Sequence, residues 1–198
     1  MKKIVLLILL LLVISMAWLG AAETAKAVPA KVKPALLVID IQNAYLPRMD
    51  EKDVKTGMEM INYYIALFRA NGFPVIRVYH SSLKLGPKPD SEEFQYPKTV
   101  AVKDDDPKIV KNYGSAFKET ELEKLLQAKG CNTLFLCGLS AVGCVLATYH
   151  GAMDRDYDVY MLKDALISHD AALTKAVLEI SKTIGYYPLK LVLENIAK

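Results

Sequence analysis

The sequence predicts an α/β protein of three layers, with a mostly parallel, doubly wound central sheet covered by helices on both faces. Three observations carry this. Short apolar runs bounded by turn residues alternate with segments whose apolar residues recur at about 3.6-residue spacing. The runs are too continuously apolar for strands with one wet face, which places them inside a sheet. The chain of 198 residues, 53% hydrophobic and 24% charged, is long enough for one good core and too short for two.

The elements follow in order. Ala35 to Ile41 is an apolar run that passes through Asp40 and ends at Gln42. Lys52 to Ala70 then places Met58, Ile61, Ile65 and Phe68 on one helical face, and Asn71-Gly72 closes it. Val75 to Tyr79 is a second strand. Ser81 to Lys108 holds Pro87, Pro89, Pro97 and Pro107 among mixed charges and reads as a long irregular excursion, a kind of segment that is usually functional or disordered. Ile109 to Lys111 is a short edge strand, and Thr120 to Lys129 is an amphipathic helix. Thr133 to Cys137 is a buried strand, because Leu134, Phe135 and Leu136 run unbroken between Asn132 and Gly138. Gly138 to Val145 turns this strand into a helix whose Cys144, Val145, Ala147, Thr148 and Ala152 are mostly small, so that it can lie close on the sheet. Val159 to Leu162 is the next strand, His169 to Thr183 a helix, and Leu189 to Leu193 a candidate last strand. In such a sheet, ligands bind above the carboxyl ends of the strands.

The N-terminus has its own pattern. Lys2-Lys3, the unbroken apolar run from Ile4 to Ile14, and the small residues Gly20, Ala21 and Ala22 form a secretory signal peptide, with cleavage after Ala22 or Ala27. The expectation is residues 1–27 as leader and 28–198 as the folded domain, exported to the periplasm or beyond. The competing reading is an uncleaved inner-membrane anchor, because Ile4 to Ala22 nearly reaches the roughly 20 residues of a spanning helix. Contact with a membrane is expected only in that case. Taking Lys2 and Lys3 from the 25 basic residues leaves 23 against 22 acidic ones, a balance that argues against a nucleic-acid partner.

Three cysteines exclude a fully paired disulfide framework, and Cys131 and Cys137 bracket one strand too far apart to bridge. Cys144 is different. At the start of a helix, unsatisfied N–H groups and the helix dipole favour a thiolate, so its pKa is expected below the ordinary value of about 8.5. Asp40 and Lys111 fall near the ends of two other strands, where they can converge with Cys144. Taken singly, each has an ordinary structural role: a turn cap, a solvated lysine, a small buried hydrophobe.

Taken together, Leu37-Val38-Ile39-Asp40-Ile41-Gln42-Asn43, Val110 to Phe117 and Gly138 to Thr148 resemble the signatures of the isochorismatase-like cysteine hydrolases, in the same order and at similar separations. The resemblance runs from Pro34 to about Leu193. It implies the isochorismatase-like hydrolase fold and an amidase-type triad, with Cys144 as nucleophile, Asp40 as general base and Lys111 as the cation that holds the pair. It implies backbone N–H groups of Ser140 and Cys144 as oxyanion donors and a cis peptide between Leu139 and Ser140. The reaction implied is hydrolysis of a small amide or related C–N bond through a thioester. Gln42, Tyr45, His80, Phe94 and Leu139 are candidate pocket residues, with Leu83, Leu85 and Tyr96 as further apolar cover. No cofactor is expected, and a homo-oligomer is. Nicotinamidases of this family use a histidine-rich metal site, but the matching loop from Asn43 to Asp53 has no histidine, so no metal is assigned and His80 is read as a pocket residue. True isochorismatases lack the cysteine. Ala141-Val142 replaces the Thr-Asp common in amide-cleaving relatives. The alternative function is a non-catalytic binding or assembly protein that keeps the fold and a residual triad.

Overall fold

The computed structural model describes residues 31–82 and 86–197. The expected leader or anchor over residues 1–27 and the side chains of Leu83, Lys84 and Leu85 lie outside these residues. No described helix is long and apolar enough to cross a membrane.

Six strands, β1 (Pro34–Ile39), β2 (Val75–His80), β3 (Lys108–Lys111), β4 (Thr133–Leu139), β5 (Asp158–Ile167) and β6 (Thr183–Ile184), form one sheet in the order β3-β2-β1-β4-β5-β6. Every neighbouring pair is parallel. The helices are α1 (Glu51–Ala70), α2 (Leu122–Ala128), α3 (Leu146–Met153), α4 (Ala171–Ile180) and α5 (Tyr186–Ile196). Alternation along β1 divides the core. Ala35, Leu37 and Ile39 pack with Leu126 of α2, Tyr149 and Ala152 of α3 and Val177 of α4, whereas Leu36 and Val38 pack with Ile61, Ile65 and Phe68 of α1 and Leu189 and Leu193 of α5. Each such aliphatic side chain taken fully from water stabilises the fold by about 1.5–3 kcal/mol. This is the three-layer arrangement expected.

The strand order reverses between β1 and β4, which is where a doubly wound sheet opens a crevice at its carboxyl edge. Two backbone positions shape that edge. Asp40, one residue past β1, has φ of 54°, a left-handed conformation that aspartate tolerates better than most side chains. Gly138 in β4 has φ of 115°, and a Cβ there would strike the backbone of Ile39 on the neighbouring strand. Only glycine lets β4 pass so near β1.

Three elements differ from the sequence reading. Leu189 to Leu193 is not a strand but part of α5, whose buried Leu189 and Leu193 are four residues apart with exposed Lys190 and Leu191 between them, a helical period. The last strand is the two-residue β6. β5 runs on past Leu162 to Ile167 through a bulge: Leu136 of β4 pairs with Met161 and Gly138 with Leu166, so Lys163 and Asp164 are exposed in mid-strand. α4 is shorter than His169 to Thr183, because the Asp170 side chain accepts from the Ala172 N–H at 2.8 Å and starts the helix there.

Candidate active site

The carboxyl ends of β1, β2, β3 and β4 deliver Asp40, His80, Lys111 and Cys144 to one place. A carboxylate oxygen of Asp40, a ring nitrogen of His80 and Cys144 Sγ lie within 4.8 Å of one another. Lys111, fully buried, anchors them. Its ammonium donates to Asp40 Oδ2 at 2.8 Å, to His80 Nδ1 at 2.8 Å and to the Tyr113 carbonyl at 3.2 Å, which uses all three of its protons. The accounting matters, because a buried charge is tolerated only when paired and hydrogen-bonded.

The bond from Lys111 fixes the His80 tautomer. Nδ1 accepts from an ammonium and so carries no proton, leaving the neutral ring protonated at Nε2. Burial, with the Lys111 charge beside it, pushes the His80 pKa down to about 4. The His80 main chain is held by Gln42, which accepts from its backbone N–H at 2.7 Å and donates to its carbonyl at 3.1 Å, while Tyr45 meets the ring edge-on at 6.1 Å between centroids. Nδ1 is also 3.9 Å from Cys144 Sγ.

Asp40 is poised between two demands. Burial raises its carboxyl above the ordinary range, and the Lys111 charge opposes that rise. Oδ2 is tied to Lys111, whereas Oδ1 is buried without a conventional hydrogen-bond partner among the described residues. Such an oxygen is an acceptor in need of a proton.

Cys144 departs from the expected helix start. Residues Ala141–Val145 form a wide π-type turn, broken at Gly143 with φ of −118° and ψ of −107°, and the regular helix begins only at Leu146. The N–H groups of Gly143 and Val145 both turn inward to the Ser140 carbonyl, at 2.9 and 3.2 Å. The peptide between Leu139 and Ser140 is cis, as expected. Thr148 secures the turn from α3, donating to the Cys144 carbonyl at 2.7 Å while its hydroxyl accepts from the Ala116 N–H at 3.0 Å. The thiol pKa is the opposite of the expectation. Burial first, and then the Asp40 carboxylate, push it up to about 12, and the Lys111 charge only partly offsets them. A thiol already facing an anion in a poorly solvated place resists becoming a second anion.

A cavity of about 320 Å³ opens over this cluster, lined by Asp40, Tyr45, His80, Leu139, Ser140 and Cys144 among the expected residues. Gln42 and Phe94 do not line it. Gln42 lies beneath, gripping His80, and Phe94 is a fully buried core residue stacked on Tyr79 at 5.1 Å. Tyr96 is likewise a strut, its hydroxyl donating to the carbonyls of Val38 and Val78. Sequence reasoning missed Arg48, Met49, Ser82, Gly86 and Gly143 as lining residues. Arg48 and Met49 belong to the same loop as Tyr45, and that proximity was the available signal. Asp40, His80 and Cys144 have donor atoms spaced for a metal ion, but the Lys111 ammonium already bonds two of them, so the cation of this cluster is supplied by the chain.

The family profile of the isochorismatase domain matches residues 34–189. The chain belongs to the isochorismatase family. Among curated relatives, the uncharacterized isochorismatase family protein YddQ of Bacillus subtilis is 30% identical over 140 residues, covering 66% of this chain and 76% of its own. A protein of Arabidopsis thaliana named "Probable inactive nicotinamidase" is 30% identical over 174 residues, covering 76% and 89%. Among solved structures, an isochorismatase family protein from Burkholderia thailandensis superposes with a TM-score of 0.74 at 22% identity, over 82% of this chain and 96% of that one. The N-carbamoylsarcosine amidase of Thermoplasma acidophilum does so with a TM-score of 0.68 at 24% identity, over 78% and 95%. These structures share the fold, and the family match makes the chain an isochorismatase-family hydrolase.

Proposed function

We propose that this hydrolase cleaves a small amide or related C–N bond with Cys144 as nucleophile, Asp40 as proton carrier and Lys111 as the fixed cation that keeps Asp40 available as a base. The observation that carries the reading is the division of labour within one carboxylate: Oδ2 is held by Lys111 at 2.8 Å, Oδ1 is buried without a conventional partner, and a carboxylate oxygen lies within 4.8 Å of the Cys144 sulfur.

The resting thiol is protonated, so attack and deprotonation occur together. Sγ forms a bond to the amide carbonyl carbon as its proton passes to Asp40. The oxygen gains the negative charge and is met by the backbone N–H groups of Ser140 and Cys144. Asp40 then returns the proton to the departing nitrogen, the C–N bond breaks, and a thioester remains on Cys144. Water adds to the thioester, again losing a proton to Asp40. The acid leaves and the thiol is restored. His80 stays neutral and accepts one of the three ammonium protons in a hydrogen bond, which helps hold the Lys111 cation beside Asp40.

Assay of ammonia or amine released from a panel of small amides, ureas and carbamoyl compounds tests this. Cys144→Ala should remove all turnover while leaving the thermal melt unchanged. Turnover retained in that variant sinks the assignment.

The non-catalytic alternative has the inactive designation of the plant relative behind it. In that case no member of the panel is turned over.

A further inference from the structure

The charges around the cavity can be counted at neutral pH. Asp40 is cancelled by Lys111 at 2.8 Å beneath it. His80 is neutral, with a pKa near 4, and the Cys144 thiol and Tyr45 hydroxyl keep their protons, each pushed to about 12 by burial first and by Asp40 second. Met49, Leu139, Ser82, Ser140, Gly86 and Gly143 carry no charge. Arg48 remains. This residue, exposed at the end of the short 3-10 turn Leu46–Arg48, lines the cavity, and its side chain makes no hydrogen bond or ion pair with a described residue. A guanidinium is charged at any accessible pH.

We infer that the cavity selects an anionic substrate, a small amide or carbamoyl compound bearing a carboxylate, with the carboxylate on Arg48 and the scissile carbonyl at Cys144. This rests on the nucleophilic reading of Cys144. The volume of about 320 Å³ is at the small end for ligand sites, so both groups belong to one compact molecule. Guanidinium and carboxylate match as a two-point hydrogen-bonded pair. The same net charge disfavours a cationic substrate.

Alkylation of Cys144 in the intact protein tests this without knowledge of the natural substrate. Iodoacetate is an anion, iodoacetamide is its neutral counterpart, and each forms an Sγ–C bond with loss of iodide and the thiol proton. The readout is the ratio of the two rates at Cys144, followed at pH 9 by peptide mass, with the buried Cys131 and Cys137 as internal controls. The iodoacetate to iodoacetamide ratio should fall about 3- to 10-fold in Arg48→Gln, stay near the wild-type value in Arg48→Lys, and decline with added salt in the wild type. An unchanged ratio in Arg48→Gln overturns the inference. Protection supplies a second reading: N-carbamoylglycine should shield Cys144 from iodoacetamide at least 3-fold better than its methyl ester, and an acid no better than the ester also overturns it. Failure of both reagents to modify Cys144 would instead overturn the nucleophile assignment on which the inference rests.

Discussion

Replacing Lys111 by Met keeps much of the side-chain volume and removes the charge. The ammonium is fully buried, Asp40 is only 2% exposed, and the two are 2.8 Å apart. Removing one partner of such a pair leaves a desolvated carboxylate, a loss of about 3–5 kcal/mol. At roughly 2–4 °C per kcal/mol for a chain of this size, the melting temperature at pH 7 should drop by about 6–20 °C. The sign of the pH dependence follows from burial. Without Lys111 the folded carboxyl titrates well above its unfolded value of 3.8, so the folded state of the variant binds a proton more readily than the unfolded chain. The stability it has when Asp40 is protonated is therefore complete below the unfolded pKa and is lost as pH rises through the folded one. The deficit against wild type should be large at pH 7 and shrink toward pH 4. Adding Asp40→Asn removes the unpaired charge and should restore most of the loss at pH 7. Urea melts of both variants across pH 4 to 8 measure this. A single variant within about 1 kcal/mol of wild type at pH 7, or a double variant no more stable than the single, would show that the pair is not desolvated as the structure has it.

Other predictions concern the groups around that pair. Asp40→Asn removes an anion that holds the Cys144 thiol up near 12, so iodoacetamide should label Cys144 faster than in wild type at pH 8 while turnover falls by several orders of magnitude; slower labelling would mean that Asp40 activates the resting thiol. His80 folds in its neutral form with a depressed pKa, so stability present above its unfolded pKa of 6.5 is lost as pH falls toward 4. That loss is at most about 3 kcal/mol, less for a ring in contact with an open cavity, and denaturation curves of His80→Gln should lack it. Gly138→Ala should destabilise by about 2–4 kcal/mol, because the new Cβ meets both a left-handed backbone and the Ile39 main chain; a melt within 0.5 kcal/mol of wild type would show that β4 can move aside.

What the sequence determined by itself is the part governed by local pattern. Continuous apolar runs at Ala35, Val75 and Thr133 could only be interior strands, and their alternation with amphipathic segments fixed the layers and so the edge to which Asp40, Lys111 and Cys144 had to come. α5 escaped because Leu189 to Leu193 is a short window in which periods of 2 and 3.6 look alike, and β5 because exposed Lys163 and Asp164 in a bulge read as a strand end. Only the tertiary structure decided the chemistry of the site. Position at a helix start argued for an acidic thiol, yet the regular helix begins only at Leu146, and burial together with a carboxylate brought in from β1 outweighs the lysine. His80 and Gln42 are likewise 38 residues apart, and their mutual grip exists only because β1 and β2 pair in the sheet. Phe94, expected in the pocket, entered the core, while Arg48, to which the sequence assigned no role, lines the cavity, because where a loop side chain goes depends on packing against distant strands, which no local pattern encodes.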